Sequence, residues 1–98
     1  MLTIKKSNIH GIGVFTSEII KKNTILEFKT KIVNENEFES YQYPWFGKSV
    51  ICGLASFFNH STEFNLKILN RNKEKNILKF IVIKQIKKNE ELTFNYDT

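Results

Sequence analysis

The chain has 98 residues, of which 41% are hydrophobic, so we expect one domain around one small core. Its formal net charge of +5 comes from lysine, with Arg71 the single arginine, which argues against specific nucleic-acid recognition because base and phosphate contacts favour arginine. The sequence has no apolar run of membrane-spanning length and no signal peptide, and Cys52 is its single cysteine, which excludes an internal disulfide and a cysteine-rich zinc site. These features predict an intracellular protein, cytoplasmic or nuclear, with no membrane partner and no bound metal.

Short strands dominate the predicted secondary structure. The predicted strands are residues 2–4, 13–16, 25–28, 49–52, 66–69, 77–83 and 91–96. Strand alternation is lacking over 34–48, where Phe38 and Tyr41 lie three residues apart ahead of Pro44 and allow one helical turn. We therefore predict a mainly β fold in a single domain over residues 1–98, with a short insert at about 34–48.

The polar segment 70–75 separates two of these strands and predicts a β-hairpin. In its second arm Ile77, Lys79, Ile81 and Ile83 share one face, and Leu78, Phe80 and Val82 share the other. Because both faces are largely apolar, we expect this strand to be buried on much of both sides.

A nine-residue segment occurs nearly twice. Residues 20–28 read IKKNTILEF and residues 86–94 read IKKNEELTF, identical at six of nine positions. Each copy is a polar turn that enters an alternating strand, with Asn23 and Asn89 at the same place in the two turns. Asparagine tolerates the left-handed backbone conformation best after glycine. The copies lie too far apart for a repeat array, so we predict one turn conformation used twice in one small fold.

The glycine turn Gly11-Ile12-Gly13 is the first candidate for binding. A Gly-x-Gly sequence lets backbone groups approach a ligand closely. It is not a dinucleotide-binding fingerprint, because Thr16 stands where a third glycine would be needed. Taken alone, the pattern is more typical of a simple tight turn.

The second candidate is Asn59-His60-Ser61, which directly follows Phe57 and Phe58. A Ser–His dyad is a poor interpretation, because neighbours on a strand point to opposite faces and no acidic partner is evident. The alternative is a polar turn in which the Asn and Ser side chains cap backbone groups. In either case we expect the two phenylalanines to anchor the turn in the core.

The third candidate is Phe94-Asn95-Tyr96, and in this order the three motifs resemble those of the SET-domain family, which are lysine methyltransferases that use S-adenosylmethionine. In that family a Gly-x-Gly follows the first strand, Asn-His-Ser-x-x-x-Asn lies mid-chain and Glu-Leu-Thr-Phe-x-Tyr closes the domain. Residues 11–13, 59–65 and 91–96 match these patterns. The resemblance implies several short sheets with a C-terminal pseudoknot, in which the last strand passes beneath a loop.

The resemblance also implies the site residues. Gly11, Ile12 and Gly13 would offer backbone groups to the methionine part of S-adenosylmethionine, and Asn59 and His60 would hold the cofactor. Together these five residues would form a cofactor shelf. Tyr96 would be the catalytic tyrosine, brought beside this shelf by the pseudoknot.

Further residues would shape the substrate channel. In the family, the position of Phe94 influences how many methyl groups are added, and phenylalanine implies products beyond monomethyl-lysine. Tyr41 and Tyr43 would help to line the substrate side, with core packing as the alternative. The implied partner is a protein with a target lysine, for which a histone tail is one candidate and a ribosomal or other protein is equally open.

The sequence departs from the family at its end. Many relatives continue into a segment that covers the cofactor, often with zinc-binding cysteines, whereas this sequence stops at Thr98. The resemblance therefore leaves three alternatives: a lid from a second subunit, as in a homodimer, a lid from the substrate, or an open site without a lid, which would bind the cofactor more weakly and admit water. Two other functions stay open: a SET fold with weak or lost catalysis that serves as a binding module, and a small basic β domain that binds nucleic acid.

Overall fold

A computed structural model describes residues 1–29, 31–33, 43–45, 48–51, 55, 57–72 and 75–95. Within these ranges the regular structure consists of strands, with no α-helix. The strands are β1 Leu2–Lys6, β2 Ile12–Thr16, β3 Ile25–Lys29, β4 Lys31–Val33, β5 Tyr43–Trp45, β6 Lys48–Ile51, β7 Asn59–His60, β8 Leu66–Asn72, β9 Ile77–Val82 and β10 Glu91–Phe94. The predicted mainly β fold is confirmed. The helical turn predicted at Phe38 and Tyr41 lies outside the described residues.

Two sheets contain these strands. The larger has the order β1-β2-β10-β8-β9-β3, with β7 pairing additionally with β10, and the smaller has the order β4-β6-β5. Strand β5 was missed, because we predicted no strand in the insert over 34–48. Pro44 lies within β5, opposite Ser49, and a proline is tolerated there because β5 is an edge strand of its sheet.

The predicted hairpin is formed by β8 and β9 and is longer than expected. Asn72 still pairs with Ile77, so residues 70–72 extend the strand rather than forming the turn. The register shifts between Ile68 and Asn70, which leaves the intervening Leu69 47% exposed. One face of β9 is fully buried, whereas its other face is only half-buried.

The near-repeat is confirmed as one turn conformation used twice. Asn23 and Asn89 both have left-handed backbones, with φ of 73° and 69°. The turns close in the same way, since Thr24 N donates to Lys21 O at 3.2 Å and Glu90 N donates to Lys87 O at 3.0 Å. The strands that follow are also placed alike: β3 pairs with β9, and β10 pairs with β2. The strand that follows each turn thus pairs with the strand that precedes the other turn.

An aromatic cluster forms the centre of the core. The Phe80 ring meets the rings of Phe58 and Phe94 edge to face, at centroid distances of 5.1 and 5.4 Å. Phe28 packs against the same cluster, 5.6 Å from Phe58. Phe58 is 1% exposed and Phe57 packs against the core from a half-buried position, so the predicted anchoring of the turn is confirmed.

Strand β10 threads between two strands that are neighbours along the chain. Phe94 lies opposite His60 of β7 and opposite Leu66 of β8, in parallel register with both. The connecting segment 61–65 also grips β10: Ser61 N donates to Phe94 O, and Asn65 N donates to Thr93 O, both at 3.2 Å. The predicted C-terminal pseudoknot is therefore present, and it positions the site described next.

Candidate functional site

A compact loop over residues 7–11 connects β1 to β2. Ser7 N donates to Gly11 O at 2.8 Å, and Ser7 Oγ accepts from Ile9 N at 2.9 Å and from His10 N at 3.3 Å. Gly11 has a φ of +48°, a left-handed conformation that glycine adopts without strain. Apart from Gly11 and its two neighbours in the chain, no described residue has a heavy atom within 4 Å of the position of a Cβ on Gly11, so the described part of the structure leaves space there.

Asn59 ties this loop to β7. Its Nδ2 donates to His10 O at 3.1 Å, to Ile12 O at 3.0 Å and to Glu91 Oε2 at 2.8 Å. These three acceptors fix the orientation of the amide, because a flipped amide would set its oxygen against three other oxygens. No described residue donates to Asn59 Oδ1, so among these residues this oxygen is an acceptor without a donor, and Asn59 as a whole is 7% exposed.

The carboxylate of Glu91 lies beneath the same loop. Its Oε1 accepts from Ser7 Oγ at 2.7 Å, and its Oε2 accepts from Asn59 Nδ2 at 2.8 Å. We found no acidic partner for residues 59–61 in the sequence, and Glu91 is that missed partner, although it bonds Asn59 and not a Ser–His dyad. Its signal was present, since Glu91 belongs to the closing motif and lies on the opposite strand face from Leu92.

Gly13 is required for space. A Cβ at this position would fall on Glu91 Oε2, 2.7 Å from Glu91 Cδ and 3.1 Å from Asn59 Nδ2. Gly13 has no positive φ, in contrast to Gly11. The two glycines of the motif therefore serve different needs, one for backbone conformation and one for the passage of the Glu91 side chain.

In the turn after β7, polar side chains bond to backbone groups, as the polar-turn interpretation predicted. Ser61 Oγ accepts from Glu63 N at 3.1 Å. Asn65 is 2% exposed, and its side chain accepts from Thr93 N and donates to Glu91 O, both at 2.9 Å. These bonds hold β10 in the loop, so that Glu91 and Phe94 are fixed relative to Asn59.

The structure brings most of the predicted site residues to one place. Gly11, Ile12, Gly13, Asn59, His60 and Phe94 meet around the loop, β7 and β10. Tyr96 and Tyr41 lie outside the described residues. The backbone of Tyr43 belongs to β5 in the smaller sheet. Sequence reasoning assigned no role to Ser7 or Glu91.

Comparison with known proteins identifies the family. Residues 11–97 match the SET domain. The chain is 33% identical over 109 residues to a histone-lysine N-methyltransferase of Schizosaccharomyces pombe specific for H3 lysine-37, in an alignment that covers 97% of this chain and 72% of the relative.

Solved structures agree with this match. A crystal structure from Plasmodium falciparum, assigned as a histone methyltransferase, superposes with a TM-score of 0.77 at 26% identity, covering 97% of this chain and 91% of that one. An inhibitor-bound Polycomb Repressive Complex 2 from Chaetomium thermophilum, in a humanized mutant form, shares the fold with a TM-score of 0.77 at 23% identity, over 98% of this chain and 15% of that one. No helix in the described ranges is long and apolar enough to cross a membrane. SET-domain methyltransferases generally use S-adenosylmethionine, and the chain belongs to this family of protein-lysine methyltransferases.

Proposed function

We propose that this enzyme methylates a lysine of a histone with S-adenosylmethionine bound at Gly11, Ile12, Gly13, Asn59 and His60. The observation that carries the proposal is the contact of Asn59 Nδ2 with His10 O and Ile12 O, which joins the first two motifs. The names of the curated and solved relatives support a histone substrate. Such a substrate would place the protein in the nucleus, at chromatin.

The described residues fit this cofactor. The open side of Gly11 leaves room for a ligand against the backbone of residues 11–13. Asn59 Oδ1, which has no donor among the described residues, is an acceptor suited to the ammonium of the methionine part. Main-chain groups of His60, next along β7, would complete the shelf. Ile9 and Ile12 are 51% and 41% exposed, and in this proposal a second copy of the chain covers them as a lid.

When bound, S-adenosylmethionine supplies a methyl group that is activated by the adjacent sulfonium. The target lysine must attack as a neutral amine, and since its free pKa is about 10.4, deprotonation at pH 7 costs roughly 4–5 kcal/mol. An apolar channel lowers this cost because it disfavours the ammonium form. In this proposal Tyr96 orients the amine through its hydroxyl, and Tyr41 and Tyr43 line the channel. Much of the acceleration would then come from alignment of the two reactants.

Phe94 would set the degree of methylation. It is 4% exposed and its ring is held against Phe80, so the wall it forms is apolar and fixed. Without a phenolic hydroxyl at this position, no water is held against the amine. The product should therefore extend beyond monomethyl-lysine.

The test is transfer of a labelled methyl group from S-adenosylmethionine to purified histones and to a whole-cell lysate. We expect label on a histone lysine with the wild-type chain and loss of label with Tyr96→Phe and Asn59→Ala. Lys22→Ala, at an exposed position of the first repeated turn and outside the site, is the control that should retain transfer. Label that appears on other proteins and never on histones would overturn the substrate, and transfer unaffected by Tyr96→Phe would overturn the catalytic assignment.

A further inference from the structure

The hydrogen bonds around Glu91 leave no choice of donor and acceptor. Ser7 Oγ already accepts from Ile9 N and His10 N, which occupies both of its lone pairs, so its single hydroxyl hydrogen must be donated to Glu91 Oε1. Asn59 Nδ2 can only donate. Both oxygens of Glu91 must therefore accept, and a carboxylate satisfies this requirement where an amide of the same shape cannot.

The charge of Glu91 has no cationic partner in the described part of the chain. The ion pairs there are the amino terminus of Met1 with Glu18 at 3.7 Å and Lys79 with Glu27 at 3.2 Å. Glu91 is instead compensated by two neutral donors, although the chain carries a net charge of +5. A part-buried carboxylate in this position favours a cationic ligand nearby.

We propose that Glu91 is the positioning residue of the cofactor shelf, and that its negative charge makes the shelf selective for the cationic cofactor over the neutral product. Glu91 holds the 7–11 loop through Ser7 and helps to fix the orientation of the Asn59 amide. S-adenosylmethionine carries a sulfonium charge that S-adenosylhomocysteine lacks. The same carboxylate therefore stabilises the bound substrate form of the cofactor more than the bound spent form. This inference rests on the proposed cofactor site.

The first experiment examines the ligand-free protein, so that it does not depend on the cofactor. The hydrogen bonds from Ser7 and from Asn59 to Glu91 form one relay. In Glu91→Gln, the amide NH₂ must face either Ser7 Oγ–H or Asn59 Nδ2, and one of the two bonds is lost. We expect the backbone amides of Ile9 and His10 to exchange hydrogen at least about tenfold faster than in the wild type, because a lost hydrogen bond to a charged group changes an equilibrium by about this factor or more. Exchange at Ile20 and Ile86, in the bridge between the repeated turns, should be unchanged. Unchanged exchange at Ile9 and His10 in both Glu91→Gln and Glu91→Ala, the second of which removes both bonds, would overturn the positioning role.

The second experiment measures binding of S-adenosylmethionine and S-adenosylhomocysteine by titration calorimetry. We expect Glu91→Gln to weaken both ligands, with the dissociation constant of S-adenosylmethionine raised several-fold more than that of S-adenosylhomocysteine. A purely structural role of Glu91 would weaken binding of the two ligands by the same factor. An equal loss of affinity for both ligands would therefore overturn the charge selectivity. If the wild type bound neither ligand, the proposed function would fail, and the exchange experiment would still report on the relay itself.

Two further variants separate this effect from misfolding. Ser7→Ala breaks the same hydrogen-bond relay from the side of the loop. The double variant with Glu91→Gln should lose little more affinity for S-adenosylmethionine than Glu91→Gln alone, because both changes break one relay. Additive losses would contradict a shared relay. Glu90→Gln is the matched control: it makes the same charge change one residue earlier, at a carboxylate that accepts from Lys87 N in the turn, and it should leave the ratio of the two dissociation constants at its wild-type value.

Discussion

Ile20 and Ile86 each donate a backbone N–H to the other's carbonyl oxygen, and both hydrogen bonds are 2.9 Å long. This bridge joins the first residues of the two repeated segments, and Asn23 and Asn89 each lie three residues farther along. The two turns are equivalent in conformation and in the strand pairing that follows. Substitutions at equivalent positions should therefore have similar effects.

The first prediction concerns the two left-handed asparagines. Asn23→Ala and Asn89→Ala should each lower the free energy of unfolding by about 1 kcal/mol, because alanine is strained at positive φ. Asn→Gly at either position should be close to neutral, since glycine adopts the conformation freely. Urea denaturation measures both, with Asn8→Ala as a control at an exposed position without positive φ. A large difference between the two sites would contradict their equivalence.

The second prediction distinguishes the structural roles of Gly11 and Gly13. Gly11→Ala should cost roughly 1–2 kcal/mol of stability through backbone strain alone, because the space around it is open. Gly13→Ala should displace the Glu91 carboxylate and leave the Ser7 hydroxyl without its acceptor, at a cost of about 1–3 kcal/mol. Asn59 Nδ2 would keep His10 O and Ile12 O as acceptors.

Thermal denaturation in a Glu91→Ala background distinguishes the two causes. There the cost of Gly13→Ala should shrink, because the side chain it meets has gone, while the cost of Gly11→Ala should stay the same. An unchanged cost of Gly13→Ala in that background would show that the Glu91 side chain is not what excludes a Cβ.

The third prediction concerns the aromatic cluster. Phe80→Ala should destabilise the fold by about 3–5 kcal/mol, because Phe80 is fully buried and its ring meets three other phenylalanines. That is a large part of the total stability of a typical domain, about 5–15 kcal/mol. Phe15→Ala, at a half-buried ring on β2, should cost clearly less. Urea midpoints for the two variants give the comparison, and equal losses would contradict a core centred on Phe80.

The fourth prediction concerns the product. Mass spectrometry of the methylated substrate should show di- or trimethyl-lysine with the wild type, and Phe94→Tyr should shift the product toward monomethyl-lysine. The reason is that a tyrosine hydroxyl would hold water against the amine and reduce the room for methyl groups. Monomethyl-lysine alone from the wild type, unchanged by Phe94→Tyr, would refute the role of Phe94. Thermal denaturation of the variant checks that the buried hydroxyl has not unfolded the core.

Local sequence patterns predicted most of the strands and the repeated turn. Alternation in β9 and the equivalent positions of Asn23 and Asn89 depend on neighbouring residues, and such features can be inferred from a short window. Strand β5 was missed because a proline weakens the strand pattern, and its tolerance at an edge depends on which strand lies beside it.

Pairing across long distances in the chain was predicted only where the family motifs implied it. The resemblance to SET domains predicted that the glycine turn, Asn59 and β10 would meet. It gave no role to Glu91, because the bond to Ser7 joins residues 84 positions apart and no local pattern records it. The mutual pairing of the two repeated turns through Ile20 and Ile86 was missed for the same physical reason.

The threading of β10 through the 61–65 loop has a consequence for the order of folding. The β8–β9 hairpin joins residues close in the chain and can form early, whereas β10 can be inserted only when β7 and β8 are in place, at a large cost in loop-closure entropy. Glu91 and Phe94 arrive with that last strand. Newly made chains should therefore acquire most of their secondary structure before they can bind a cofactor, and a partly folded intermediate would be inactive until its C-terminal strand is inserted.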